Sequence, residues 1–344
     1  MEISMLRGVI VGFGRMGLTH YSILNNHPDV KFVAICDSSK FILKSAAKYL
    51  DLETYLDSDK MIQEIKPDFV LVATPSAQHS NCVSCALKND AHVFVEKPFA
   101  VNLEEGRRLA EYAKEKGLIN QVGYVCRFND VFMRVKSLLK SNVIGELLNF
   151  KVEMYSSTVI HASETSWRSK KNEGGGCLYD IASHGIDLIN FLIGPPDKIK
   201  GSVLQSIYSQ GVEDAVYSTY SYKNGATGNL IVNWSDPTYR KLAYRFEILG
   251  NTGKIIADLH AFKLYLNDTS SDSEFSEGWN HRYITDFAEP VRFYVRGNEF
   301  TRQLDYFIDC ILKKQISDMC SFKEGLTTDI VIDQIRNDFN TRGH

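Results

Sequence analysis

One stretch limits what this chain can become more than any other. The apolar run LRGVIVGF at 6–13 passes straight into Gly12-Phe13-Gly14-Arg15-Met16-Gly17, and a helical pattern follows over roughly 15–26. A buried strand that turns through G-x-G-x-x-G into a helix is a dinucleotide-binding turn. Gly12 permits the tight turn, Gly14 lets a pyrophosphate approach the backbone, and Gly17 lets helix and strand pack closely. The helix N-terminus then faces the negative charge. Taken without its surroundings the motif is weak, because glycines before a helix are common.

The surroundings supply the specificity. VKFVAIC (30–36), DFVLVAT (68–74), AHVFVE (91–96) and LINQVGY (118–124) are further apolar runs, separated by helical patterns near 40–50, 57–65, 77–88 and 102–115. Strands that are apolar throughout rather than alternating belong to a parallel sheet covered on both faces. Right-handed crossovers between them give a doubly wound Rossmann fold. The expected first domain is 1–123.

Ligands of such sheets sit beyond the carboxyl ends of the strands. Asp37 ends the second strand and is followed by Ser38 and Lys40. A carboxylate there accepts hydrogen bonds from the ribose hydroxyls and repels a 2′-phosphate, so NAD is expected over NADP, with Lys40 near enough to soften the preference. Thr74, Pro75 and Ser76 follow the next strand and line the same cleft; Ser76 also reads as a helix cap. His79, in the first turn of that helix, is within reach of the cofactor but also reads as a solvated surface histidine. The last apolar run before 100 ends in Glu96-Lys97-Pro98. Lys97 leaves its strand toward the cleft, where an ammonium can donate to a substrate oxygen as charge builds on it. The plainer alternative is a surface Glu96–Lys97 ion pair of little worth. Pro98 holds the turn.

The second half changes character. After a helix near 129–141, the segments 146–157, 198–208, 214–235 and 244–260 alternate and are rich in Val, Ile, Tyr, Phe and Thr. Asn224-Gly225 and Thr252-Gly253 are turn signals between them. The pattern predicts a mostly antiparallel sheet with one exposed and one covered face, in a separate α+β domain over 124–344. Its exposed face, expected to carry apolar and aromatic residues, reads as an oligomer surface. Within this half, Gly174-Gly175-Gly176 leads into CLYDIASHGIDLINFLIG. Asp180 and His184 are four apart and share a helix face, with Asp187 three further on. A carboxylate so placed can orient an imidazole and raise its basicity. A satisfied core histidine is the bland alternative. No third ligand stands at a metal-binding spacing, so no metal is expected.

Composition excludes other classes. With a net charge of −3 and no basic run, a nucleic-acid partner is not expected. No apolar run reaches the ~18 residues of a membrane span. The seven cysteines are scattered and odd in number, which predicts reduced thiols and a cytoplasmic protein. Cys82 and Cys85 form a C-x-x-C inside a helix rather than at its start, the wrong place for a redox motif. The polar stretch 267–278 reads as an exposed loop.

These motifs, taken in order, resemble the Gfo/Idh/MocA oxidoreductases over nearly the whole chain. The resemblance rests on GFGRMG, ATPSAQH at 73–79, VEKPFA at 95–100, GYVCRFN at 123–129, SWR at 166–168 and GGGCLYDIASHGIDL at 174–188. It implies a Rossmann domain and an open-sheet domain that forms dimers or tetramers. It implies Lys97 and the Asp180/His184 pair as catalytic residues, with Trp167 and Arg168 near nicotinamide and substrate. Tyr124 and Arg127 fall in the segment that crosses between domains and become candidate substrate contacts. The implied reaction is hydride transfer between NAD(P) and a secondary alcohol of a sugar, sugar nucleotide or polyol. The segment 277–311 is similar to relatives associated with bacterial surface polysaccharides, which suggests a UDP-linked N-acetylhexosamine; free sugars and inositols stay open. Arg282, Tyr283, Arg292 and Arg296 are either diphosphate contacts or ordinary surface residues. A biliverdin reductase-like or dihydrodiol dehydrogenase-like enzyme, or a non-catalytic NAD(P)-binding regulator, are the rival readings.

Overall fold

The structure is a computed structural model that describes residues 5–162, 166–268 and 274–341. The chain divides into two compact units, Met1–Val125 with Pro290–Leu326, and Cys126–Glu289 with Thr327–His344.

The first unit is built on β1 (Leu6–Val11), β2 (Val30–Cys36), β3 (Glu53–Tyr55), β4 (Phe69–Val72), β5 (His92–Val95) and β6 (Asn120–Val122). The strands pair in the order β3-β2-β1-β4-β5-β6, and every pairing is parallel. This is the doubly wound dinucleotide-binding order, with the switch point between β1 and β4. The crossover helices are α1 (Arg15–Leu24), α2 (Lys40–Tyr49), α3 (Ser58–Ile65), α4 (His79–Lys88) and α5 (Leu103–Glu115). The register decides where chemistry can sit. Val11 lies level with Cys36 on one side and Val72 on the other, Val72 with Val95, and Val95 with Val122. One residue beyond that row come Gly12, Asp37, Ala73, Glu96 and Gly123, aligned along a single edge.

The second unit carries α6 (Asp130–Lys140), β7 (Leu147–Tyr155), α7 (Ser183–Leu192), β8 (Lys198–Gln205), β9 (Ala215–Ser221), β10 (Thr227–Asn233), β11 (Ala243–Gly250), β12 (Gly253–Ala257), β13 (Ala261–Leu266) and β14 (Gly278–Tyr283). Its sheet runs β14-β13-β12-β11-β7-β10-β9-β8. It is antiparallel except where β7 and β10 run parallel. The Asn224-Gly225 turn joins β9 to β10, with Gly225 at φ +88°. Gly185 lets α7 approach β7: a Cβ there would sit 2.7 Å from Met154 Sδ. The opposite face is open. It mixes charged and apolar residues: the Lys151–Glu153 and Lys254–Glu247 ion pairs at 2.9 and 2.7 Å stand among half-exposed Tyr155, Tyr217, Ile231, Leu249 and Ile256. Tyr265, Trp279 and Tyr283 extend the aromatic character toward one edge.

One expectation needs correction here. The tail does not all join the second unit. Helix α8 (Asn298–Lys313) lays Leu304, Phe307, Ile308 and Ile311 into the core of the first unit. Phe307 meets Phe69 and Phe94 edge-to-face at 6.0 and 5.9 Å. These positions follow the i, i+3, i+4, i+7 stripe of an amphipathic helix. Helix α9 (Phe322–Asn340) begins in the first unit and ends in the second. The loop expected at 267–278 lies partly outside the described residues. Among the described residues no helix is long and apolar enough to cross a membrane.

Candidate functional site

The glycine turn lies at the level edge of the first sheet. Gly12 has φ +89°, and a Cβ on it would lie 2.6 Å from the Ala73 carbonyl oxygen. Gly17 is tighter still, with its Cβ position 2.0 Å from the Gly12 carbonyl oxygen. Gly14 is the N-cap of α1, a helix with no side-chain cap and no acidic residue in its first turn. A Cβ on Gly14 would meet nothing within 4 Å. The open space over Gly14 and the uncapped N–H groups below it are a cradle for an anion, and a side chain at 14 would fill it. Phe13 braces the turn from both its ring and its backbone. The Phe13 ring is buried against Tyr21 at 5.6 Å, and its N–H donates to Asp37 Oδ2 at 2.7 Å. Asp37 Oδ1 accepts the Ser39 N–H at 2.8 Å. Each carboxylate oxygen keeps a second lone pair for a ribose hydroxyl. Ser38 and Lys40 are exposed beside it. The residues present therefore fit an NAD whose pyrophosphate rests on Gly14 and whose ribose meets Asp37. Gly17→Ala is expected to lower NADH affinity about tenfold or more, some 1.4 kcal/mol, because the turn must open to admit the methyl; fluorescence titration of NADH measures it.

The next two strand ends converge on the same edge. Thr74, Pro75 and Ser76 follow β4, but Ser76 does not cap: it lies inside a short turn at Ser76–Gln78 and makes no capping bond. His79 is not on the surface. It is 1% exposed, with Nδ1 2.8 Å from the Pro98 carbonyl oxygen and Nε2 3.0 Å from that of Thr74. Burial pushes its pKa down, while the two carbonyls and Glu96 pull the other way. A neutral ring has one N–H and donates to one of the two oxygens. The Lys97–Pro98 peptide bond is cis. Glu96 Oε2 accepts the Lys97 N–H at 3.3 Å.

In the second unit Gly175 and Gly176 allow close approaches. Gly176 N–H donates to the Arg168 carbonyl at 2.9 Å, and a Cβ on Gly175 would lie 2.4 Å from that same oxygen. The helix that follows does not start as an α-helix. Leu178–Ala182 form a π-turn before α7 begins at Ser183. Such widened turns are rare and concentrate at functional sites. Asp180 lies within it and accepts Arg168 Nε at 2.7 Å. The Arg168 guanidinium also stacks 4.7 Å from the Trp167 ring centre. The half-buried His184 follows on the first turn of α7. Buried Glu213 accepts the Leu178 N–H at 2.8 Å, anchoring the start of the π-turn, and burial raises its pKa.

Two candidate substrate contacts are placed otherwise. Arg127 is 3% exposed and donates through Nε and a terminal nitrogen to both oxygens of Asp187, at 2.8 and 2.7 Å. That bidentate pair engages the guanidinium inside the second unit, where it braces α7. Tyr124 is fully buried. Of the tail arginines, Arg292 pairs with Asp305 at 2.7 Å, Arg282 donates to backbone oxygens, and Arg296 lies over Phe300 beside Met16. All seven cysteines are buried thiols. Burial pushes the Cys36 and Cys85 thiols up to about 12, which leaves them inert as nucleophiles. The sequence reading missed His20, Gly123 and Glu213. Only His20 carried a signal, as a lone polar residue on the buried face of α1.

Comparison with known proteins agrees with this geometry. Residues 6–124 match the oxidoreductase family with an NAD-binding Rossmann fold. Residues 132–256 match the GFO/IDH/MocA C-terminal domain. The chain is 25% identical over 303 residues to scyllo-inositol 2-dehydrogenase (NAD(+)) of Bacillus subtilis, covering 83% of this chain and 86% of that one. It is 26% identical over 299 residues to myo-inositol 2-dehydrogenase of Thermotoga maritima, covering 84% and 86%. Among solved structures, levoglucosan dehydrogenase in complex with NADH and levoglucosan superposes with a TM-score of 0.85 at 21% identity, over 98% of each chain. Two matched domains in order, on a fold that places the glycine turn and Asp37 on one edge, make this chain a member of the GFO/IDH/MocA family of NAD-dependent oxidoreductases.

Proposed function

We propose that the protein transfers a hydride between NAD and a secondary alcohol on the ring of a sugar, sugar nucleotide or polyol. The observation that carries this reading is that the chain holds both parts such chemistry needs: a lysine-bearing turn at the cofactor edge of the first unit and, in the second, a π-turn and helix holding Asp180 and His184. Relatives with names that specify ring-hydroxyl dehydrogenation support it.

Bound NAD⁺ supplies the hydride acceptor. The rest falls to side chains. His184 Nδ1 is buried, which leaves Nε2 to take the hydroxyl proton as the C–H bond breaks. Asp180, held by Arg168 at 2.7 Å, stabilises the charge the imidazole acquires. Lys97 donates a hydrogen bond to the same substrate oxygen, which stabilises the developing alkoxide. Trp167 restrains Arg168 by stacking. A panel of inositols, free sugars and UDP-sugars, followed by absorbance of the reduced nicotinamide, tests the proposal. Turnover of a ring alcohol is the expected result. NADH binding without turnover of any of them would favour a regulator.

Asp37 sets the cofactor preference in this reading. Asp37→Ser is expected to weaken NADH about tenfold, the loss of a charged hydrogen-bond acceptor, and to narrow the gap to NADPH. The ratio of the two dissociation constants measures it.

A further inference from the structure

Buried histidines stand on both sides of the Lys97 turn, and the chemistry above uses neither. His20, on α1, is fully buried, with Nε2 2.7 Å from Glu96 Oε1. Its ring stands edge-on to Phe94 at 5.1 Å. The other carboxylate oxygen of Glu96 accepts the Lys97 N–H at 3.3 Å. Gly123 makes room for this carboxylate. A Cβ at 123 would lie 3.2 Å from its carbon and from each of its two oxygens. On the far side, His79 opens α4 and reaches the Pro98 carbonyl at 2.8 Å and the Thr74 carbonyl at 3.0 Å. The turn is thus tied to two different elements and closed upon itself. The Glu96 side chain is tied to the cofactor helix, the Lys97 N–H to Glu96, and the Pro98 carbonyl to α4.

We propose that Glu96 is a positioning residue for Lys97, and that His20 fastens it to the helix that cradles the cofactor. This rests on the hydride-transfer reading and deepens it. A lysine springs from its backbone on a flexible four-carbon stem. Its ammonium is aimed only if the backbone beneath it is fixed, and a misplacement of about 1 Å can cost on the order of 10²-fold in rate. Because α1 carries both the glycine turn at its start and His20 further along, one helix sets the cofactor cradle and the lysine turn in a common frame.

The test compares His20→Leu, which keeps the apolar contact with Phe94 but loses the bond to Glu96, with His20→Gln, whose amide can still donate. Glu96→Gln, which keeps the size of the side chain, serves as a second probe should His20→Leu fail to fold. His20→Leu is expected to lower kcat about tenfold or more, with NADH affinity and melting temperature near wild type. His20→Gln should recover most of that loss. A second readout needs no substrate: reductive carbon-13 methylation of the lysines, with the Lys97 resonance assigned by its absence in Lys97→Ala. That resonance should move in His20→Leu and return in His20→Gln. An unmoved resonance with unchanged kcat overturns the proposal. So does an equal loss in both His20 variants with a lowered melting temperature, which would mark a purely structural pair. If no ring alcohol turns over, the hydride-transfer reading fails, while the resonance still decides whether Glu96 and His20 hold Lys97.

Discussion

Lys97→Ala and His184→Ala are each expected to lower kcat by roughly 10²-fold or more on the true substrate, within the range of general acid–base catalysis. The two losses have different origins. Without His184 the hydroxyl proton has no acceptor, so hydride departure must generate a free alkoxide. Without Lys97 the acceptor remains, but the charge that develops before proton transfer loses its donor. Neither change should unfold the protein. His184 is half-buried at the start of a helix, and Lys97 leaves a turn whose backbone is held by Glu96. Melting temperature and NADH affinity therefore serve as controls. Asp180→Asn should cost less than His184→Ala, since the imidazole survives, and should loosen Arg168 as well. Near-normal kcat in both alanine variants, with the substrate in hand, would remove these residues from the chemistry.

How much of this was readable depends on what each residue needed to know. The parallel strands were legible because burial on both faces makes them apolar throughout. Strand β3 was not, because Glu53–Tyr55 is a three-residue edge strand with two exposed positions. The glycine turn, Asp37 and the Lys97 turn were legible because each sits next to its own strand end. His79 was misread because a polar residue in the first turn of a helix normally faces water. Here two neighbouring turns close over it and supply two carbonyl oxygens. The π-turn leaves no trace in the spacing of apolar residues, so the Asp180/His184 register looked like an ordinary i, i+4 pair. The tail 290–326 shows why domain limits are hard to read. The stripe of Leu304, Phe307, Ile308 and Ile311 announces a helix, but nothing in it says which core will receive it.

Arg127 is the case in which motif logic and physics separate most clearly. Its position in GYVCRFN suggests a ligand contact, yet its partner Asp187 lies 60 residues away in sequence. Asp187→Ala is expected to destabilise the second unit by about 3–5 kcal/mol, the usual cost of stranding a buried charge. The side chains are 4% and 1% exposed, and the guanidinium stacks 5.3 Å from the Phe191 ring centre. The Thr328 hydroxyl, which donates to Asp187 Oδ1 at 3.1 Å while accepting from Asn190 at 3.3 Å, loses its acceptor too. Asp187→Asn keeps a neutral acceptor and should cost less. The joint replacement Arg127→Met with Asp187→Leu removes both charges and should restore most of the stability, because an apolar pair avoids the desolvation penalty. Denaturant midpoints of the wild type, Arg127→Met, Asp187→Leu and the double variant form a cycle that isolates the coupling. The same double variant also settles the substrate question. If it regains stability and keeps the KM of the wild type, Arg127 is a brace for α7. If it regains stability and loses substrate affinity, Arg127 belongs with the ligand contacts after all.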